Sequence, residues 1–599
     1  MKKKHLRAMA LAMAALMSLT ACGGGSSTSS EAGSTTAGAA DTTAADTTAA
    51  AVADPNATYK ETLHIAVSQQ APSLDLHKNS TLIARQMCDG TVFEKLVTLN
   101  AKAEAVPELC ESYEVSEDGK TITFVLRKGV KFHDGSEMTA DDVVASMNRW
   151  LEGFSSAGNM VGDARFEKVD DYTVKIVGET PLILLPAMIA GAAQPAAITT
   201  AEACADEDSN GFLKNYIGTG PYKFTEWKQD QYVRLDRFDD YVPYGTEGET
   251  MDGWAGYKAA PTKTLEFDIV PDQATATAGI EAGQYDCIFN VKDDDYARLE
   301  ANPELTTSRT QMGSIAFIFN HKEGLGAEQY FRTAVNTAID CDEVLTSCFG
   351  GGYELGSCYM DAGQPFWASE AGSENYNLHD PEKAKEILVE GGYDGSTFRI
   401  LAATLNKMDS MAVVLKSELE EIGVPVELTI VDWATLTDYR KDPSLYDMYI
   451  TTFAEVPVPS LKLYYGNAYP GWSDDEKMST LFSEMTSATT LDDAKAKWDE
   501  LQGYSWEYLP IICPGHYLGM FAMDKDLEGV NCLLYTSATG KACAGLDGTS
   551  DNIFQNLCTS DRDRKQCLDW RRLYSSSRSH YRRKQRDRSW KRSYPPCPA

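Results

Sequence analysis

The sequence predicts an α/β protein with mixed sheets, and three observations lead to this fold class. A β-hairpin, a tight turn and an amphipathic helix follow one another between Glu111 and Leu151. A strand, a helix and a second strand follow one another in residues 398–431, an order that is typical of a mostly parallel sheet. The chain of 599 residues is long enough to bury the cores of two lobes.

The hairpin is predicted by the strict alternation of side chains in residues 121–126, which read TITFVL. This strand is expected to be half-buried, with an apolar face of Ile122, Phe124 and Leu126. Before it, residues 116–119 end in a glycine, which supplies the positive φ that a tight reversal needs. After it, Thr139 is expected to cap a helix. The apolar stripe of that helix comprises Val143, Val144, Met147 and Trp150 or Leu151.

The same signals predict further elements along the chain. Strands are expected at residues 63–67, 170–177, 265–271 and 315–320, within 446–459 and, as an antiparallel pair, within 217–241. Helices are expected at residues 272–282, 331–339 and 380–392 and, as a pair, within 474–501. The apolar run at residues 181–198 contains three prolines, so it is expected to form packed helices and loops rather than a membrane span.

The first 57 residues carry export signals rather than a fold. Residues 1–22 combine a basic start with a short apolar run, which is typical of a signal peptide. Its end, Leu19-Thr20-Ala21-Cys22, resembles a lipobox, so Cys22 is expected to be lipidated; an ordinary signal peptide with a chance cysteine is the alternative. Residues 23–57 consist mainly of Gly, Ser, Thr, Ala and Asp, a composition that favours a disordered tether.

Composition and motifs argue against several function classes. The net charge of −33 would repel nucleic acid, so none is expected as a partner. The chain has no C-x-x-C pair and no H-E-x-x-H motif, so neither a metal site nor a cofactor is predicted. An extracytoplasmic hydrolase is one alternative function, but no G-x-S-x-G elbow supports it.

The sequence also contains cysteines and histidines that belong to none of these motifs. A bridge from Cys341 to Cys348 or Cys358 is one possibility, and buried free thiols are the other. His77 and His133 each lie alone in a turn, and both are expected to be solvated.

Two stretches carry a family resemblance. The string DGKTITFVLRKGVKFHDGSEMTADDVVASMNR runs from Asp118 to Arg149, and IGTGPYKFTEWKQDQYVRLDRFDDY runs from Ile217 to Tyr241. Both resemble signatures of the extracytoplasmic solute-binding proteins of the dipeptide, oligopeptide and nickel class, family 5, which feed ABC importers. The resemblance implies the type II periplasmic-binding-protein fold of the large peptide-binding subclass, with two lobes and an extra subdomain in lobe I.

The resemblance also implies how the chain is divided. Lobe I is expected at residues 58–270, with the extra subdomain at about 106–215, lobe II at 271–507 and a return to lobe I at 508–531. Residues 532–537, CLLYTS, resemble a translated sequencing-library adapter, and a strongly basic stretch follows. We interpret residues 532–599 as a non-native tail; a native basic tail that binds nucleic acid or lipid is the alternative.

The predicted ligand site lies at the end of the strand within residues 446–459. In peptide-binding relatives the corresponding string carries an aspartate that holds the α-ammonium group of the peptide. Here Glu455 supplies a carboxylate that is one methylene longer, and Val458 replaces a second aspartate of the family pattern. A solvated glutamate at the strand end is the alternative for Glu455. Candidate lining residues are Phe453, Trp433, Tyr464 and Tyr465, each of which could instead belong to the core.

The expected function is capture rather than catalysis, so no catalytic residue is predicted. A short peptide is the expected ligand, enclosed between the lobes and delivered to the permease subunits of an ABC importer. The protein is expected to be a monomer outside the cytoplasm, held on the bacterial cell membrane by its lipid anchor. Another solute, such as an oligosaccharide or a metal chelate, and a peptide-sensing lipoprotein without transport are the alternatives.

Overall fold

The computed structural model describes residues 60–246, 251–258, 260–360 and 363–527. The predicted signal peptide, the lipidation site at Cys22, the tether and the tail from residue 532 lie outside the described residues. The described strands are β1 (Thr62–Val67), β2 (Val97–Leu99), β3 (Ala105–Pro107), β4 (Cys110–Val115), β5 (Thr121–Leu126), β6 (Phe166–Asp170), β7 (Thr173–Val177), β8 (Tyr222–Lys228), β9 (Tyr232–Arg237), β10 (Thr264–Ile269), β11 (Cys287–Val291), β12 (Leu305–Phe319), β13 (Tyr353–Glu354), β14 (Phe398–Ala403), β15 (Val426–Val431), β16 (Met448–Ala454), β17 (Ile511–Ile512) and β18 (His516–Asp524). The described helices are α1 (Leu82–Cys88), α2 (Ala140–Gly153), α3 (Ser155–Val161), α4 (Leu185–Ala190), α5 (Ala201–Ala205), α6 (Gln273–Glu281), α7 (Asp293–Glu300), α8 (Gln329–Ala338), α9 (Cys341–Phe349), α10 (Pro381–Glu390), α11 (Met408–Glu421), α12 (Trp433–Tyr439), α13 (Glu476–Thr486) and α14 (Leu491–Tyr508).

Most of these strands belong to one 12-stranded sheet with the order β15-β14-β16-β12-β18-β11-β1-β10-β9-β8. Two short strands lie off this path, where β13 pairs with β18 and β17 pairs with β12. The sheet is mixed, because β1 runs parallel to β10 and β11, and β14 runs parallel to β15 and β16, while the long central pairs are antiparallel. The predicted α/β class with mixed sheets is confirmed.

The long strands β12 and β18 join the two ends of this sheet. Residues Leu305–Ser314 of β12 pair with β18, and its C-terminal residues Gly313–Phe319 pair with β16 on the other side. The register of β12 against β18 shifts between Gln311 and Gly313. A glycine is needed at that shift, since a Cβ atom on Gly313 would lie 1.9 Å from the carbonyl oxygen of Phe453. The predicted lobe boundary at residues 270 and 271 stays a prediction.

A separate four-stranded sheet, β4-β5-β7-β6, contains the predicted hairpin. Gly119 closes the turn with a φ of +71°, and the predicted apolar face of β5 is fully buried. A capping box of Thr139 and Asp142 starts α2. The buried stripe of α2 includes Val143, Met147, Trp150 and Leu151, whereas Val144 is only half-buried.

The second half of the chain builds its part of the large sheet as predicted. The strands β14 and β15 flank α11 and run parallel in register, from Phe398 opposite Val426 to Ala403 opposite Val431. Asp380 caps α10 by accepting a hydrogen bond from the backbone N–H of Lys383. One apolar cluster joins side chains of residues 96–198 to side chains of residues 315–513, so these two parts of the chain pack against each other.

Two stretches differ in detail from the sequence predictions. The single strand expected at residues 170–177 is two strands, because Asp170 ends β6 and the chain reverses before β7. Alternation alone cannot separate a strand from a tight hairpin that shares its pattern. The apolar run at residues 181–198 forms the short helix α4 and loops, as expected, and no helix within the described ranges is long and apolar enough to cross a membrane.

The prediction that His77 is solvated is wrong. Its side chain is buried, with Nε2 2.6 Å from the carbonyl oxygen of Ala197 and Nδ1 3.1 Å from Nη1 of Arg149. Because a guanidinium only donates, Nδ1 accepts and the proton sits on Nε2. Burial and the Arg149 charge lower the pKa of His77 to about 4, so the ring is neutral.

His133 is half-buried rather than solvated. Its Nε2 lies 2.9 Å from the carbonyl oxygen of Gly220, and burial lowers its pKa to about 4. Cys341 and Cys348 are buried free thiols in the described part of the chain, so no bridge joins these two residues. For this pair, the structure therefore has the buried free thiols that the sequence allowed as the second possibility.

Candidate ligand-binding site

Glu455 comes directly after β16. In the large sheet, β16 lies between β12 and β14. Ligands of open α/β sheets bind beyond the carboxyl ends of such strands. The Glu455 side chain is half-buried, and its Oε1 accepts a hydrogen bond of 3.3 Å from Nε2 of Gln364. A carboxylate at this strand end can accept hydrogen bonds from a cationic ligand group.

Gln364 is a site residue that sequence reasoning missed. It precedes the short helical turn Pro365–Trp367, and only 3% of its surface is exposed. Its carbonyl oxygen Oε1 is buried and has no hydrogen-bond partner within the described part of the chain. No local signal marks this glutamine, because its neighbour Glu455 lies 91 residues further along the chain.

Polar groups continue along the segment that follows Glu455. Ser460 lies in the helical turn Pro459–Leu461, and its buried Oγ has no hydrogen-bond partner in the ranges that the structure describes. The Lys462 side chain is almost fully buried, and its Nζ lies 3.5 Å from Oγ of Ser314 on β12. Buried polar groups of this kind favour a polar rather than a purely apolar ligand.

Two of the predicted aromatic residues lie together beside Glu455. The ring centroids of Phe453 and Tyr464 are 5.6 Å apart, and Phe453 also lies 6.0 Å from Tyr469. Tyr464 is buried and contacts Tyr359 at 6.2 Å. Phe453 remains half-buried, so it is the aromatic side chain of this pair that a ligand can reach.

Tyr465 lies deeper in the core. It packs against Phe482 at 5.9 Å and Trp498 at 6.0 Å, and its hydroxyl accepts a hydrogen bond of 3.2 Å from Ser505. Burial raises the pKa of Tyr465 far above its ordinary value. These contacts are those of a core side chain, the second role that the sequence allowed for it.

Trp433 begins α12 and is 38% exposed. Its ring lies 5.8 Å from the guanidinium carbon of Arg440, and Arg440 in turn donates a hydrogen bond of 3.0 Å to the hydroxyl of Tyr469. Since Tyr469 contacts Phe453, Trp433 is linked to the site through two intermediate side chains. Nothing in these contacts brings it next to Glu455.

The segment after α4 contacts the chain just beyond Glu455. A Cβ atom on Gly191 would lie 2.6 Å from Cγ of Pro457, two residues after Glu455. Nearby, Nη1 of Arg85 on α1 donates a hydrogen bond of 2.8 Å to the carbonyl oxygen of Ala192. Residues 191 and 192 therefore connect α1, in the first half of the chain, with the segment that carries Glu455.

Among the described residues one group has ligand atoms spaced for a metal ion, namely His64, Glu266 and Asp268, whose atoms lie within 4.8 Å of one another. These side chains already have hydrogen-bond partners, namely one another and the guanidinium group of Arg234. Nδ1 of His64 lies 3.0 Å from Asp268, and Arg234 donates two hydrogen bonds to Glu266. This group lies on β1 and β10, which are four and five strand positions from β16 in the large sheet, so it is separate from the site around Glu455.

Comparison with known proteins places the chain in a family. Residues 104–474 match the family described as bacterial extracellular solute-binding proteins, family 5 Middle. The chain is 28% identical over 462 residues to a probable peptide ABC transporter periplasmic-binding protein, y4tO, of Sinorhizobium fredii, which covers 73% of this chain and 86% of the relative. It is 29% identical over 397 residues to the oligopeptide-binding protein AppA of Bacillus subtilis, which covers 62% of this chain and 70% of AppA.

Solved structures agree on the fold. The dipeptide binding protein from Pseudoalteromonas in complex with Met-Leu has a TM-score of 0.63 and 22% identity, covering 78% of this chain and 96% of that one. Its likeness bears on the fold alone. The family match, which spans more than half of the sequence, identifies a protein that binds solutes outside the cytoplasm rather than one that transforms them. The chain therefore belongs to the bacterial extracellular solute-binding proteins of family 5.

Proposed function

We propose that this protein captures short peptides, with Glu455 binding the α-ammonium group of the peptide. Relatives named for peptides support this ligand class, among them oligopeptide-binding protein AppA and the dipeptide-binding protein of Escherichia coli. The observation that carries the proposal is the position of Glu455, directly after a central strand and in contact with a buried amide. A desolvated ammonium group needs such a charge partner, because burying it alone is very costly.

Capture requires that the ligand favour the closed arrangement. The contact between Gly191 and Pro457 brings the first half of the chain against the Glu455 segment, so a ligand that bridges the two sides would stabilise this arrangement. The ligand shifts the equilibrium only by its higher affinity for the closed form. Phe453 offers an apolar contact for a peptide side chain next to the carboxylate.

Delivery and anchoring belong to the same proposal. Lipidation at Cys22 would hold the protein on the membrane, and residues 23–57 would allow it to reach the permease subunits of an ABC importer. Replacing Cys22 by serine should release the protein from the membrane fraction and move it from the detergent phase to the aqueous phase in a phase-separation assay. A Cys22→Ser protein that stays with the membrane would contradict the anchor.

Calorimetry of the purified protein with a pool of di- to pentapeptides tests the ligand class. We expect binding by the wild-type protein and a loss of roughly 10-fold or more in affinity for Glu455→Gln, because a charge-assisted hydrogen bond is weakened. Glu427→Gln, on the edge strand β15, is the matched control and should bind like the wild type.

Relatives named for other solutes supply the competing ligands. Heme-binding protein A of Haemophilus influenzae is 28% identical over 381 residues. Heat on addition of haem, an oligosaccharide or a metal chelate, together with no heat for any peptide, would reject a peptide ligand. The Glu455→Gln protein then shows whether the same carboxylate serves the other solute.

A further inference from the structure

The buried amide of Gln364 has one satisfied end and one unsatisfied end. Its N–H at Nε2 donates to Oε1 of Glu455 across 3.3 Å, whereas its carbonyl oxygen has no partner within the described part of the protein. A buried carbonyl without a hydrogen bond is costly, so such a group calls for a donor. With 3% of the residue exposed, bulk water is a poor candidate for that donor.

The orientation of this amide is fixed by its neighbour. If the amide were flipped, its carbonyl oxygen would face the carboxylate oxygen of Glu455, and two acceptors would repel each other. The N–H must therefore point to Glu455, and the carbonyl oxygen is presented beside the carboxylate. Glu455 and Gln364 together offer two acceptors to one donor group.

A single ammonium group can reach both acceptors. The nitrogen and oxygen of an amide lie roughly 2.3 Å apart, so Oε1 of Gln364 is at most roughly 5.6 Å from Oε1 of Glu455. Two N–H bonds of one ammonium nitrogen diverge at the tetrahedral angle, so two charge-assisted hydrogen bonds of about 2.8 Å bridge acceptors roughly 4.6 Å apart, a separation within that upper limit. The ligand group must then carry a positive charge and at least two N–H donors.

We propose that Gln364 determines the specificity of the site for a primary ammonium group, by accepting a second N–H from the group that Glu455 binds. This inference rests on the proposed peptide function and deepens it. Peptides with a free amino terminus fit, whereas N-acetylated peptides lack the charge and N,N-dimethylated peptides keep the charge but have only one N–H donor.

The test compares a peptide with a free amino terminus with its N,N-dimethyl form in calorimetry at pH 6.5, where the amino groups of both peptides are protonated. The wild type should prefer the free form by roughly 10- to 100-fold, the amount expected for one charge-assisted hydrogen bond. Gln364→Met removes both polar atoms at nearly constant length, and this variant should lose most of that preference. Gln364→Leu is a second variant in case one side chain packs poorly, and thermal melting checks that each protein folds.

Gln311→Met is the matched control. Gln311 is also a buried glutamine whose amide donates to a carboxylate, that of Glu354 at 3.1 Å. This variant should keep the wild-type preference for the free peptide, whatever it does to overall affinity. A Gln364 variant that folds and still prefers the free form by the wild-type factor would overturn the inference.

Different results would contradict the peptide function and the role of Gln364. If the wild type binds no peptide, or if Glu455→Gln binds as the wild type does, the peptide function or the role of Glu455 is wrong. If Glu455→Gln loses affinity while both Gln364 variants keep the full preference for the free amine, only the role of Gln364 is wrong. The N-acetylated peptide separates charge from donor number, because it should bind weakly to the wild type and to both Gln364 variants.

Discussion

Gly191 and Pro457 approach so closely that a Cβ atom on Gly191 would lie 2.6 Å from Cγ of Pro457. Gly191 ends α4 in the first half of the chain, and Pro457 follows Glu455 in the second half. Because Gly191 has a φ of −65°, which any residue adopts, its lack of a side chain matters for space rather than for backbone strain. The glycine thus permits the approach of two segments at the candidate site.

Gly191→Val should weaken ligand binding without unfolding the protein. The added side chain would overlap Pro457, 2.6 Å away, more severely than the carbonyl oxygen of Ala187 in its own half of the chain, 3.2 Å away; overpacking of this kind costs about 1 to 3 kcal/mol, or roughly 5- to 150-fold in affinity. Calorimetry and a thermal melt of the same sample measure both effects. Gly466→Val is the control, since a Cβ atom there meets nothing within 4 Å, and an unchanged affinity in Gly191→Val would contradict this account.

Arg149→Met should destabilise the protein strongly. Arg149 donates to both oxygens of the fully buried Asp75, at 2.9 and 2.6 Å, and its loss would leave that carboxylate unpaired. Breaking a buried pair in this way costs about 3 to 5 kcal/mol. Urea unfolding measures the difference, and Arg298→Met is the control, because the half-exposed Arg298 bridges surface carboxylates and its loss should leave the urea midpoint almost unchanged.

The same pair gives a pH dependence. Burial acts to raise the pKa of Asp75, but the hydrogen bonds from Arg149 and the nearby positive charge outweigh it and lower the pKa below its ordinary value. The stabilisation by Asp75 is therefore present above the unfolded-state pKa of about 3.9 and is lost as the pH falls through the lower folded-state value. Acid unfolding of Arg149→Met should begin at a higher pH than that of the wild type.

Glu418→Gln should stabilise the protein at alkaline pH. Burial raises the pKa of Glu418 to about 8, and Oε1 accepts a single hydrogen bond from the backbone N–H of Asp340 at 3.3 Å. The folded state keeps its proton where the unfolded state has lost it, so stability falls as the pH rises from about 4.5 to about 8. Urea unfolding at pH 8.5 should show a gain of at least about 1 kcal/mol, after allowance for solvent screening, and little change at pH 5.

The cysteines of the folded body should resist alkylation. Burial raises the pKa of Cys348 to about 11 and that of Cys110 to about 12, so little thiolate is present at neutral pH. Peptide mass spectrometry after a short iodoacetamide pulse at pH 8 should find the half-buried Cys204 and Cys358 labelled before the buried thiols. A disulfide from Cys341 to Cys348, detected without reductant, would contradict the structure.

The sequence by itself determined the elements whose signals are local. The alternation in TITFVL defined the buried face of β5, Thr139 marked the start of α2, and the strand-helix-strand order of residues 398–431 became the parallel unit of β14, α11 and β15. These features depend on hydrogen bonds and side-chain directions within a few residues of one another. The sequence also indicated a carboxylate at a strand end, Glu455, whose role in binding stays a prediction.

Only the tertiary structure decided which distant side chains meet. The amide of Gln364 contacts the carboxylate of Glu455, 91 residues away. His77 is buried beside Arg149 in a turn that the sequence predicted to be solvated. The strands β12 and β18 join both ends of the large sheet. Such contacts come from loops and strands brought together by packing, and no local period or capping signal records them. A turn residue is exposed or buried according to what packs over it, and for His77 the covering side chain lies 72 residues away.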